Sequence, residues 1–248
     1  MLDAATIESF DRIYSTDLVY ARDCWKLCGD AHCCSFDRYR SKFTMLNKKF
    51  HQELPLLPGE YEYLQHKGWL DRFRESERME VDYSLSQGSM KIEFLMSRSR
   101  TCPCEHDTRT TVCRLYPLLP MYELDGTLVG VDMHFGMFEE IEEIDQLERA
   151  CKLTNVPFTE MGKFLAIAAE IGRNPKAVFY GMAYQLTKQH ARAQLNAAKA
   201  KRPERTSLSL FEGMFLLRQI LDQTTLRAQL ETLAAQFQEH YGPRFSLA

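Results

Sequence analysis

The chain of 248 residues carries a formal charge of -3, with 45% hydrophobic and 26% charged residues, enough apolar material for one large or two small globular domains. This balance argues against a dedicated nucleic-acid binder, which is usually basic overall. No apolar run approaches the roughly 18–20 residues of a membrane span, and the acids in MLDAATIESFDRIYSTD do not suit a secretory leader, which points to a reducing cytoplasm.

Taken in chain order, residues 3–22 put Ile7, Phe10, Ile13, Tyr14 and Leu18 on one helical stripe that leads to Cys24. A polar, basic segment follows Cys34 (SFDRYRSKFTMLNKK). Pro58-Gly59 then marks a turn, and Glu60 opens a short helix. MKIEFLM (90–96) predicts a strand, with Ile92, Phe94 and Met96 alternating with Lys91, Glu93 and Leu95. MYELDGTLVGVDMHF (121–135) predicts a hairpin turning at Asp125-Gly126. From about Phe138 onward the pattern is helical. Asn174 before Pro175 reads as an N-cap followed by a first-turn proline. Pro203 ends that long helix, Ser207 caps the next, and Gly242-Pro243 closes the last. Leu208, Phe211, Phe215, Leu216 and Ile220 form one predicted apolar face; Leu226, Leu230, Leu233, Ala234 and Phe237 form another. The acidic run 139–148 and the basic run 188–205 each read as a solvated helix face. The expected fold class is α+β and predominantly helical. A small cysteine-rich metal-binding part with a β-hairpin (1–137) precedes an α-helical bundle (138–248) packed on it.

The eight cysteines are unevenly spread. Cys24, Cys28, Cys33 and Cys34 form one block, Cys102, Cys104 and Cys113 a second, and Cys151 stands apart. Clustered thiolates repel one another, and a soft cation relieves that repulsion by coordinating them. Cys24 and Cys28 fall one turn apart if helical. Adjacent Cys33 and Cys34 point in different directions, which suits a polynuclear site or places one of them behind the ligands. Cys102-Pro103-Cys104, stiffened by its proline, favours the same. Seven clustered thiols exceed the four that one zinc or one iron–sulfur cluster needs, so two centres, or one with spare thiols, both stay open. Cys151 reads as a packed thiol on a helix.

The ordered set CWKLCGDAHCC, LLPGEYEYL and CPCEHDTRTTVCRLYPLLP resembles the CxxCxxCC, or YkgJ-like, family of zinc- or iron-chelating cysteine-cluster proteins over roughly residues 20–136. The resemblance implies a metal or iron–sulfur site in a cytoplasmic protein and implies little about a reaction. This chain departs from the pattern in its longer first spacings, in a shortened stretch between Cys104 and Cys113, and in lacking a cysteine after the hairpin. There, GVDMHFG offers His134 as a substitute ligand; the plain alternative is a histidine at a hairpin end. His32 and His106 are weaker candidates on proximity alone. Arg114 is expected to form an ordinary salt bridge, with a bond to a cluster sulfur or an anion as the alternative, and Glu60 to cap its own helix.

No GxSxG, GxGxxG, P-loop or HExxH is present. A radical-SAM triplet is nearly mimicked by Cys24 and Cys28 but disfavoured, because the third cysteine follows Cys28 after four residues rather than two. The expected function is therefore a metal-binding protein holding an iron–sulfur cluster, [4Fe-4S] favoured, or Zn2+. Its expected ligands are drawn from Cys24, Cys28, Cys33, Cys34, Cys102, Cys104, Cys113 and His134. The alternative is an iron–sulfur enzyme that transfers electrons or activates a substrate, which would need an open coordination position. The partner expected is a protein or small molecule, with no nucleic acid and no membrane span.

Overall fold

A computed structural model of the chain describes residues 2–20, 52–73, 76–98, 106–133, 136–146, 153, 155–216 and 224–247. The fold is α+β and mainly helical. Helix α1 (Ala4–Ser15) is capped by Asp3, whose carboxylate accepts from Thr6 N at 2.8 Å. It ends well before residue 22. Ser15 Oγ and Thr16 Oγ1 both donate to Arg12 O, at 3.0 and 2.9 Å, and these hydroxyls compete with continuation of the helical ladder. Leu18 keeps its predicted place in the core from the extension that follows.

Strand β1 (Gln52–Leu56) leads into the Pro58-Gly59 turn, and α2 (Glu60–His66) starts where expected. Gly59, at φ +84°, supplies the left-handed backbone that this turn requires. Strands β2 (Ser76–Leu85) and β3 (Gly88–Ser97) complete an antiparallel three-stranded sheet in the order β1-β3-β2. The predicted strand 90–96 is present, but its two faces are not divided as expected. Glu93 and Leu95 are buried, whereas Ile92, Phe94 and Met96 are only half-buried. The reason lies in β1, whose Leu54 and Leu56 stand opposite Leu95 and Glu93 and close that face. Arg78 of β2 reaches the Glu93 carboxylate and tempers its burial.

The short α3 (Thr111–Leu115) carries Cys113, and the Tyr116–Pro117 bond that follows it is cis. Strands β4 (Leu119–Tyr122) and β5 (Leu128–Asp132) pair antiparallel around Gly126 at φ +85°, the predicted hairpin. Helices α4 (Met137–Ile144), α5 (Phe158–Gly172), α6 (Pro175–Lys201), α7 (Ser207–Leu216) and α8 (Thr224–Tyr241) make the C-terminal half. Asn174 caps α6 through Lys176 N (3.0 Å) and Ala177 N (3.2 Å), with Pro175 in the first turn. Helix α7 begins differently from the expectation. Thr206 Oγ1 accepts from Ser209 N at 3.2 Å, and Ser207 instead gives its amide and hydroxyl to Asp145. Leu208 and Leu210 are buried on α7, whereas Phe215 is exposed. The predicted apolar face of α8 is buried throughout, from Leu226 to Phe237.

The acidic and basic runs meet in part rather than both facing water, although Lys201, Arg202 and Arg205 of the basic run stay exposed. Lys188 of α6 is buried and bonded to Asp132 and Glu140, and Arg192 bonds Glu140 and Glu143. Lys199 meets Asp145 at 3.2 Å. Opposite charge on two packed helices lets each neutralise the other as they lose solvent. One hydrophobic cluster contains Phe10, Leu64, Leu95, Leu118, Phe164, Phe179 and Phe237 together. Among the described residues, no helix is long and apolar enough to cross a membrane.

Candidate functional site

Of the eight expected ligands, Cys113 alone lies among the described residues; Cys24, Cys28, Cys33, Cys34, Cys102, Cys104 and His134 lie outside them, as do His32 and Cys151. Within the described residues, no group of three or more His, Cys, Asp or Glu side chains is arranged to hold a metal ion. What the structure does describe is how the segments flanking both cysteine blocks are fastened.

Cys113 is half-buried in the first turn of α3. Thr110 is the N-cap, its hydroxyl accepting from Cys113 N at 3.4 Å. The next residue, Thr111, gives its amide (2.6 Å) and its hydroxyl (2.7 Å) to Oε1 of Glu60. Tyr14 of α1 donates its hydroxyl to the same oxygen at 2.7 Å, and Leu57 N donates to Oε2 at 2.8 Å. Glu60 is completely buried, at 0% exposure. It therefore caps the first amide of a different helix, α3, rather than its own. Burial raises its pKa; the bonds from Thr111, Leu57 and Tyr14 work the other way without overcoming it. Tyr14 is held well above the usual phenol range by its own burial and by the charge of Glu60.

Arg114, immediately after Cys113, is 3% exposed. Its guanidinium lies 4.6 Å from the centre of the Tyr14 ring. It donates to three main-chain carbonyls: Arg109 O (3.0 Å), Thr16 O (3.3 Å) and Asp107 O. Burial lowers its pKa. No carboxylate takes it in an ion pair among the described residues, which corrects the expected salt bridge; its work is to gather loop carbonyls. Tyr20 adds another tie, donating to Leu115 O at 2.8 Å, and Arg109 Nη2 reaches Leu18 O at 3.1 Å.

Sequence reading missed this node because its members lie far apart, Thr111 coming 51 positions after Glu60. The available signal was the acid itself, set directly after Pro58-Gly59 in a segment that otherwise feeds the core.

An open groove of about 800 Å³ runs between β4, α6 and α8 and is lined by Met121, Tyr122, Gln185, Gln189, Thr232 and Gln236 among others. None of its lining residues is charged, so it offers no carboxylate, imidazole or ammonium for acid–base chemistry. No protein-family profile, curated protein or solved structure matches the chain.

Proposed function

We propose that this chain is a metal-binding protein whose clustered cysteines hold an iron–sulfur cluster or zinc, with the metal joining the two cysteine blocks. One observation carries the reading. The chain leading into the first block is fastened directly beside the helix that closes the second. Tyr20 is bonded to Leu115, two residues past Cys113, and Cys24 lies only four positions after Tyr20. Four residues span at most about 14 Å. His106, two residues beyond Cys104, opens a short 3-10 turn, and the carbonyl of Asp107 in that turn is held by Arg114. Both blocks thus depart from one buried node.

The donor chemistry fits the group. Thiolates are soft ligands suited to zinc and to iron–sulfur clusters, and a half-buried cysteine such as Cys113 can meet an ion while bulk water is kept at a distance. Bound there, the metal would neutralise thiolate charge and tie the two blocks together. The protein's own part is to hold Cys113 in place through Thr110, Thr111 and Arg114.

Protein purified without oxygen from cells supplied with iron and zinc is expected to contain roughly one to four metal atoms per chain. A broad visible absorption would identify a cluster, and a colourless zinc-loaded protein would identify zinc. Cys113→Ser should lower the metal content, whereas Cys151→Ser should leave it intact. Folded, metal-free protein with every thiol freely titratable would sink the proposal.

A further inference from the structure

We infer that Glu60 is a positioning residue for Cys113, setting the orientation of that thiol through Thr111; this rests on the reading of Cys113 as a metal ligand. The structure grips the chain on both sides of that cysteine. Before it, Thr111 is held by two bonds to Glu60 Oε1, at 2.6 Å through the amide and 2.7 Å through the hydroxyl. After it, Arg114 is fixed by three carbonyls and by the Tyr14 ring. Tyr14 completes the arrangement by donating to the same Glu60 oxygen at 2.7 Å, which locks α1, α2 and α3 at one atom.

Apolar packing alone could keep α3 on the core, and Leu115 and Leu118 are buried there already. Packing of that kind fixes distance more firmly than rotation. A carboxylate that accepts from defined donors also fixes rotation, because charge-assisted bonds are short and directional. Burying an acid is costly, so its presence at full burial points to a need for orientation beyond adhesion. A ligand held in its bound geometry before metal arrives loses less freedom on binding, and the metal is held more tightly.

The experiment uses the full chain, stripped of metal and titrated with Co2+ under anaerobic conditions. It compares wild type with Glu60→Gln, Thr111→Val, Thr111→Ser, Tyr14→Phe and Cys113→Ser. The readouts are the thiolate-to-cobalt charge-transfer band, the Co2+ affinity against a competing chelator, and the urea unfolding of the stripped protein. Glu60→Gln and Thr111→Val should weaken Co2+ binding by about tenfold and alter the band. Thr111→Ser, which keeps both donors, should behave as wild type, and Tyr14→Phe should fall between. If Thr111→Val lowers the stability of the stripped protein yet binds Co2+ as tightly as wild type with the same spectrum, the role is structural only and the inference is overturned. Should Glu60→Gln fail to fold, Thr111→Val and Tyr14→Phe decide the matter. Two further outcomes separate the inference from the reading beneath it. A wild-type chain with no thiolate-to-cobalt band removes both; a band unchanged by Cys113→Ser removes the inference alone.

Discussion

Asp145 shows how one carboxylate can cap a helix to which it does not belong. It follows the last turn of α4, and its oxygens accept from Ser207 N at 2.8 Å and Ser207 Oγ at 2.6 Å, with Lys199 Nζ at 3.2 Å. Burial opposes its charge, but the bonds from Ser207 and the neighbouring Lys199 outweigh that and hold its pKa below the usual carboxylate value of 3.8. The sign of the linkage follows. Near pH 4 the unfolded chain binds more protons at this group than the folded one, so its contribution is present above about 3.8 and is lost as pH falls through the lowered folded value. Asp145→Asn should destabilise the protein by about 1–2 kcal/mol at pH 7. Urea titrations between pH 3 and 7 should show that difference shrinking towards zero on the acid side; a difference independent of pH would contradict the assignment. Glu60 has the opposite sign, since burial raises its pKa and its stabilising share declines as pH rises.

At the scale of elements, what could be read from the sequence was what a few neighbouring residues decide. Asn174-Pro175, Pro58-Gly59 and Asp125-Gly126 all sit where their turn and capping chemistry puts them. Two of the readings that missed depended on partners far along the chain. The buried face of β3 is settled by Leu54 and Leu56 across the ladder, and the fate of α4 is settled by Lys188 and Arg192 on α6. An acidic run and a basic run separated by some fifty residues look alike whether each meets water or the other. The same limit applies to the candidate site. The cysteine clustering is local and legible; the bond from Thr111 to Glu60 is not. The helix pair also makes a prediction. Lys188 is almost fully buried against Glu140 and Asp132, so Lys188→Met withdraws the ammonium from one buried acid and one half-buried acid and should cost about 3 kcal/mol. Adding Glu140→Gln should recover part of that loss in a double-mutant cycle. Additive losses would mean that the two side chains do not act as a pair.

The molecule as a whole is joined along a seam between its two sheets and the helices. Tyr122 of β4 donates to Ala168 O of α5 at 2.8 Å, and Lys91 N of β3 donates to the Tyr180 hydroxyl of α6 at 3.0 Å. The tightest point on the seam is where the turn at Gly126 meets Gly172, the last residue of α5. A Cβ placed on Gly172 would lie 2.4 Å from Gly126 O, and one placed on Gly126 would lie 2.0 Å from Gly172 O. Both near neighbours are backbone and cannot swing aside as a side chain could. This gives a test in which two principles predict opposite signs. Helix propensity alone would have Gly172→Ala stabilise the protein by up to about 1 kcal/mol. The close approach instead demands that the hairpin back away from α5, a strain of about 1–3 kcal/mol, and it should dominate because the hairpin is anchored through Tyr122. Gly162, on the same helix, has nothing within 4 Å of the place its added methyl would occupy and serves as the control. Urea midpoints should therefore fall for Gly172→Ala and rise for Gly162→Ala. A rise for both would show that the seam yields without cost and that the hairpin and the helical half are less firmly joined than their contact implies.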